Sequence, residues 1–216
     1  MRTSRETIEK LPKIELHCHL DGSISMQTIR RLAQEAGIKL PVSDDDLRQK
    51  ITAPQDAASL MDYLAPFDFV LPMLQTEAAL ELAAYDILDQ AQQDNIRYME
   101  IRFAPTLHTS GGLTLAQVVA AVTRGLAAGE RDFQVKANAL LCGMRHESVD
   151  SVLTVVDLFA AGGLTHLAGF DLAGVEADGF PEAFAPVLKK VKANGIPLTL
   201  HAGECGCAQN VLDAVE

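Results

Sequence analysis

Five short apolar runs alternate with amphipathic helical stretches along the 216 residues, and this rhythm restricts the possible folds more than any other feature. The runs are Ile14 to Leu20, Ile96 to Phe103, Val135 to Cys142, Leu167 to Leu172 and Ile196 to His201, each of strand length. Between them lies a helical pattern over Ser25 to Ala36, with apolar Met26, Ile29, Leu32, Ala33 and Ala36 and a stop at Gly37. Further helices are expected over Glu77 to Gln93, Thr114 to Ala128 (Thr114 as N-cap), Ser148 to Ala161 and Pro181 to Ala193. Gly162-Gly163 and Asn194-Gly195 read as helix stops. Strand–helix alternation implies parallel pairing through right-handed crossovers. The near-continuous apolar stretch Ala137 to Leu141 fits a sheet covered on both faces.

Polar residues with chemical potential recur at the C-terminal ends of these strands: His17 and His19, Arg102, Asp171, then His201 and Glu204. A β/α barrel places its active site there. A doubly wound sheet also uses strand ends, but the chain has no GxGxxG or Walker-type loop. The barrel is therefore the expected α/β fold. Residues 38–75 interrupt the rhythm with Pro41, Asp44 to Asp46, Pro54, Pro66 and Pro72, and carry Leu60, Tyr63, Leu64 and Phe67 at helical spacing. They read either as an inserted helical lid or as a plain packed subdomain. No repeat, low-complexity tract or linker divides the chain.

His17 and His19 are two apart in a strand, so their imidazoles share one face while Cys18 points to the other. A third imidazole, His201, closes another strand. Three neutral nitrogen donors are the minimum set for a catalytic zinc with an open position, and Glu204 is a nearby carboxylate for moving protons. The pattern reads as a metal-assisted hydrolase. His108, His146 and His166 lack partners at ligand spacing and are expected as loop or surface residues.

Composition narrows the partners. With 18 Lys and Arg against 29 Asp and Glu, the formal net charge of -11 disfavours nucleic acid and anionic membranes. Trp is absent and aromatics make up 5%, which disfavours a base-stacking platform. No apolar run approaches a membrane span, and the polar start Met1 to Arg5 is not a secretory leader. Cys18, Cys142, Cys205 and Cys207 form no disulfide framework, so a reduced, cytoplasmic protein is expected. Cys205-Gly206-Cys207 reads as a loop pair rather than a soft-metal site.

Leu11 to Ser23 (LPKIELHCHLDGS) resembles the opening signature of the adenosine deaminase family of the amidohydrolase superfamily, in its bacterial-type form. Met99 to Pro105, Gly169 to Gly174 and Thr199 to Glu204 resemble later family motifs in the same order. The resemblance implies a zinc-dependent (β/α)8 barrel that converts adenosine or 2′-deoxyadenosine and water to the inosine form and ammonia, in purine salvage. By this resemblance His17, His19 and His201 are zinc ligands, and Glu204 protonates N1 of the purine during attack at C6. Gly174 lets the backbone approach the purine, Asp21 accepts a hydrogen bond from the ribose 5′-hydroxyl, and Leu60, Tyr63 and Leu64 belong to an apolar lid. Adenine deaminase-like relatives tend to have Glu at the position of Asp21, and methylated-AMP deaminase-like relatives tend to have Asn. Asp21 thus favours an unphosphorylated nucleoside over adenine or another 6-aminopurine.

The resemblance also implies groups that this chain does not carry: a histidine after the sixth strand and paired aspartates after the eighth. Residues 1–216 are expected to be the N-terminal part of one barrel domain, with about five of eight strands and the lid at about 38–75. On their own they are expected to be inactive. The alternative is a truncated, non-catalytic fragment that binds nucleoside, metal or a partner. The intact His17, His19, Asp21, Gly174, His201 and Glu204 favour an enzyme.

Overall fold

A computed structural model describes residues 4–215. Strands β1 (Lys13–His19), β2 (Ile96–Phe103), β3 (Lys136–Met144), β4 (Leu167–Ala173) and β5 (Leu198–Leu200) form one sheet. Its order is β1-β2-β3-β4-β5 and every pairing is parallel. Strand order without reversal belongs to a barrel wall, because a doubly wound sheet reverses at a switch point. The sheet is the first five strands of an eight-stranded β/α barrel, curled but open among the described residues.

Helices α1 (Arg5–Lys10), α2 (Met26–Ala36), α3 (Asp44–Ile51), α4 (Leu60–Val70) and α5 (Glu77–Gln93) occupy the first half. Helices α6 (Leu115–Asp132), α7 (Val149–Ala160), α8 (Phe180–Ala183), α9 (Ala185–Ala193) and α10 (Ala208–Val215) complete the set. α6 starts at a capping box: Gln117 N–H donates to the Thr114 hydroxyl while Thr114 N–H donates to the Gln117 side chain. Its buried face of Val118, Val119, Val122 and Leu126 packs on α5, which contributes Leu80, Ala84 and Leu88. Each such Val or Leu side chain contributes about 1.5–3 kcal/mol by leaving water. Residues 38–75 hold α3, α4 and a 3-10 turn at Leu71–Met73. Pro66 lies inside α4, where it removes one backbone donor from the helix ladder.

Two elements depart from the sequence reading. α1 has no buried residue and so carries no apolar stripe; Ser4 caps it, and Arg5–Glu9 and Glu6–Lys10 pair along its surface. β5 is limited to three residues, because among the described residues it pairs with β4 alone. β1 likewise pairs only with β2, and its Ile14 and Leu16 are exposed.

His108 corrects an expectation. Expected as a loop or surface residue, it lies in the 3-10 turn Pro105–His108 after β2 but is fully buried, with Nδ1 3.1 Å from the Leu74 carbonyl oxygen and, among the described residues, no partner for Nε2. Burial pushes its pKa down to about 4. The unfolded chain, titrating near 6.5, takes up this proton first. Stability from this site is therefore complete above pH 6.5 and is lost as pH falls towards 4. At about 1.4 kcal/mol per pKa unit the loss is ~3 kcal/mol. His108→Asn keeps a donor for Leu74 and cannot titrate, so urea unfolding should show a shallower acid loss than in the parent. Equal acid slopes for the two proteins would refute a neutral buried His108.

Candidate active site

The register of the sheet gathers the strand-end residues. His19 is level with Arg102 across β1–β2, and Cys142 is level with Asp171 across β3–β4. β1 shifts register between Glu15 and Cys18, just where it delivers the two histidines. His201 follows β5 immediately and completes the group. His17 Nε2 lies 3.0 Å from His201 Nε2 and 3.3 Å from His19 Nε2. All three ligand atoms lie within 4.8 Å of one another.

This arrangement fits a metal. Tetrahedral bonds of about 2.0–2.1 Å from zinc to imidazole place the nitrogens ~3.3–3.4 Å apart. Burial, aided by the neighbouring imidazoles, pushes the pKa of His19 down to about 4. Burial and then Arg102 lower that of His17 as well. Both rings are thus held in the neutral form that ligates metals.

A buried network orients the third ligand. His201 Nδ1 is 3.0 Å from Asp171 Oδ2 and 3.2 Å from Oδ1, so Nδ1 carries the proton and Nε2 faces the other histidines. Asp171 is fully buried on β4. Burial pushes its carboxyl upward, but the His201 hydrogen bond, the His201 charge and the Arg102 guanidinium outweigh this and hold it below the usual carboxylate range. Arg102 donates to Asp171 Oδ2 at 2.5 Å and to the Leu16 carbonyl at 2.9 Å, which ties β1 and β2 to β4. The strand-end positions of Arg102 and Asp171 are visible in the sequence, but their pairing is not.

Glu204 stands on the turn after His201 with its side chain about one-third exposed. Arg145, just beyond β3, donates to Glu204 Oε2 at 2.8 Å and to the His201 carbonyl at 2.5 Å. Its guanidinium also donates to the Gly174 carbonyl and lies 4.8 Å from the Phe180 ring centroid. Among the described residues Glu204 Oε1 has no hydrogen-bond partner. Arg145 escapes sequence reasoning because it follows a strand end inside a Met-Arg-His run with no motif of its own.

A cavity of about 350 Å³ joins His17, His19, His201 and Glu204 with Gly174 and with Leu60, Tyr63 and Leu64 of α4. Asp21 lies outside that lining. It borders an adjoining, mainly apolar cavity of about 390 Å³ that shares His19, Leu64, Phe67 and Gly174 with the first. Burial pushes the Asp21 carboxyl up to about 6. His146, expected at the surface or in a loop, borders this second cavity too. His166 precedes β4 in a left-handed conformation, its Nδ1 3.1 Å from the Ala137 carbonyl. Gly174 has φ +87°, and an added Cβ would come within 3.0 Å of Met144 Cε and 3.2 Å of His146 Nδ1. The positive φ is what favours glycine there.

The family model described as adenosine deaminase matches residues 12–216. An adenosine deaminase of Enterococcus faecalis is 51% identical over 208 residues, covering 96% of this chain and 62% of that protein. One from Lactococcus lactis is 47% identical over 211 residues, covering 97% and 60%. The chain thus spans about three-fifths of the length of the relatives it matches. Among solved structures, an amidohydrolase from Burkholderia ambifaria with bound Zn superposes at TM-score 0.87 with 27% identity, covering 100% of this chain and 60% of that one. An adenine deaminase from Arthrobacter aurescens superposes at TM-score 0.83 with 31% identity, covering 95% and 62%.

Proposed function

The chain belongs to the adenosine deaminase family, and from that premise we propose that it is the ligand-bearing N-terminal part of a zinc-dependent adenosine deaminase, with residues 38–75 forming the lid. The convergence of three imidazole Nε2 atoms beside Glu204 carries this reading. His17, His19 and His201 would hold the zinc, and Asp171 and Arg102 keep His201 in the ligating tautomer. The ion supplies Lewis-acid activation of water when bound.

The remaining chemistry rests on the chain's own side chains. As water adds to C6 of the purine, electron density moves onto N1, and Glu204 takes up one proton of the water and passes it to N1. The second proton of the water joins the 6-amino group, which leaves as ammonia as C6 becomes a carbonyl. Gly174 brings its backbone close to the purine, and the apolar side chains of Leu60, Tyr63 and Leu64 close over the ring and exclude water. Asp21, in the adjoining cavity, accepts a hydrogen bond from the 5′-hydroxyl of the ribose. The substrate is a neutral purine nucleoside, adenosine or 2′-deoxyadenosine. Four free cysteines support a reduced, cytoplasmic setting. Among the described residues no helix is long and apolar enough to cross a membrane.

Stopped assays of the full-length, zinc-loaded protein should convert adenosine to inosine with one ammonia per turnover. Asp21→Ala should weaken adenosine by about 1.5–3 kcal/mol, the range for a hydrogen bond to a charged group. Free adenine should be affected far less. Equal losses for adenosine and adenine would show that Asp21 only supports the fold, and turnover of adenine alone would overturn the nucleoside assignment.

A further inference from the structure

We propose that Glu176 is a positioning residue: its carboxylate clamps the backbone of the turn Gly203–Cys205 and thereby sets where Glu204 meets the substrate. The proposal rests on the role of Glu204 given above and extends it to a residue that borders neither the histidine cavity nor the one beside it.

Glu176 follows β4 by three residues, on the loop that also carries Gly174, and only 6% of its surface is exposed. Its Oε1 accepts the Gly203 N–H at 2.9 Å, and its Oε2 accepts the Cys205 N–H at 2.9 Å. Two N–H groups of one turn converge on this carboxylate, and Gly203 supplies a left-handed residue in that turn, at φ +86°. A third donor comes from Asn210 of α10, whose Nδ2 donates to Glu176 Oε1 at 2.8 Å and to the Ala177 carbonyl at 3.0 Å. Asn210 Oδ1 in turn accepts the Gly179 N–H at 2.9 Å. Asn210 is almost wholly buried, so the clamp is walled on its far side by a residue committed to it.

The arrangement works from two sides. Arg145 holds the carboxylate of Glu204 through Oε2, while Glu176 holds the peptide groups on which that side chain stands. The side chain has three rotatable bonds between its backbone and its acid. A small rotation of the turn therefore moves Oε1 by far more than it moves the backbone. Nothing else among the described residues accepts from the Gly203 or Cys205 N–H. Without the carboxylate these two N–H groups lose their acceptor among the described residues.

The test is Glu176→Gln in the zinc-loaded protein at its natural full length. The amide keeps the size but turns one acceptor oxygen into an NH2 that faces an N–H donor. Expected are faster hydrogen exchange at the Gly203 and Cys205 amides, a kcat lower by about 10–100-fold, as for outer groups that orient metal ligands, and little change in KM or zinc content. Glu176→Asp keeps the charge on a shorter arm and should fall between the two. In a Glu204→Gln background the same change should cost little further in kcat, because its effect passes through Glu204. A full, multiplicative loss in that background would overturn the proposal, as would unchanged exchange at both amides. Should Glu176→Gln not fold, Asn210→Ala removes one donor that braces the clamp, and it should raise amide exchange at Gly203 and Cys205. No change there would equally overturn it. The exchange measurement needs no turnover, so failure of the clamp is distinguishable from failure of the deaminase assignment.

Discussion

In the zinc-loaded protein at full length, Glu204→Gln is expected to lower adenosine turnover by about 10²–10⁴-fold, the usual worth of general acid–base catalysis. The substitution separates position from chemistry. The amide oxygen of Gln can still accept from Arg145, which reaches Glu204 Oε2 at 2.8 Å, so the side chain keeps its place in the cavity beside His201. What disappears is the proton for N1. Zinc content should be unchanged, because the three imidazoles and the Asp171 bond behind His201 do not involve Glu204. Steady-state kinetics with metal analysis on the same samples decides the matter. Near-parental turnover at full zinc occupancy would remove Glu204 from the mechanism.

The parts of this molecule that were legible in the sequence are those encoded locally. Alternating strands and helices reveal themselves by periodicity, and the strand-end placement of His17, His19 and His201 follows from their position after apolar runs. The pairings that support these histidines and Glu204 are set by tertiary contact alone. Arg102 and Asp171 stand 69 residues apart in sequence, and Arg145 and Glu204 stand 59 apart. Nothing in the surroundings of Arg145 or Glu176 distinguishes them from solvated surface charges, yet both are nearly buried. His108 failed in the opposite direction. A histidine just after a strand, with no partner at ligand spacing, reads as a loop or surface residue, but the 3-10 turn at Pro105–His108 buries it against the Leu74 carbonyl. Asp21 shows the limit for spacing arguments, since two residues from His19 it faces a different cavity from the one the three histidines share.

Residues 1–216 expressed alone should show no adenosine deamination above background with zinc supplied, and should self-associate. The reason lies in which strands carry the ligands. His17 and His19 stand on β1 and His201 directly follows β5, the two strands that each pair on one side only among the described residues. The 3.0 Å approach of His17 to His201 therefore spans the opening of the curled sheet rather than a pair of hydrogen-bonded strands. Within the described residues that approach depends on cumulative curl through four strand pairings and on the tie from Arg102 to Asp171. A closed barrel fixes the same distance by direct pairing around the remaining arc. Without closure, exposed Ile14 and Leu16 at one edge and Leu198 at the other present unpaired backbone and apolar surface, which invites edge-to-edge association. Loose ligands also mean weak metal binding, because the free energy that gathers them must come from the ion itself. Fusing the barrel-closing segment of a relative such as the Enterococcus faecalis protein should restore a monodisperse species, zinc binding and turnover together. Sedimentation, zinc titration and ammonia release measured on both polypeptides provide the comparison. Robust turnover by the 216 residues alone would show that the curl of five strands suffices to hold the histidines, and that the groups expected beyond them are not required for the reaction.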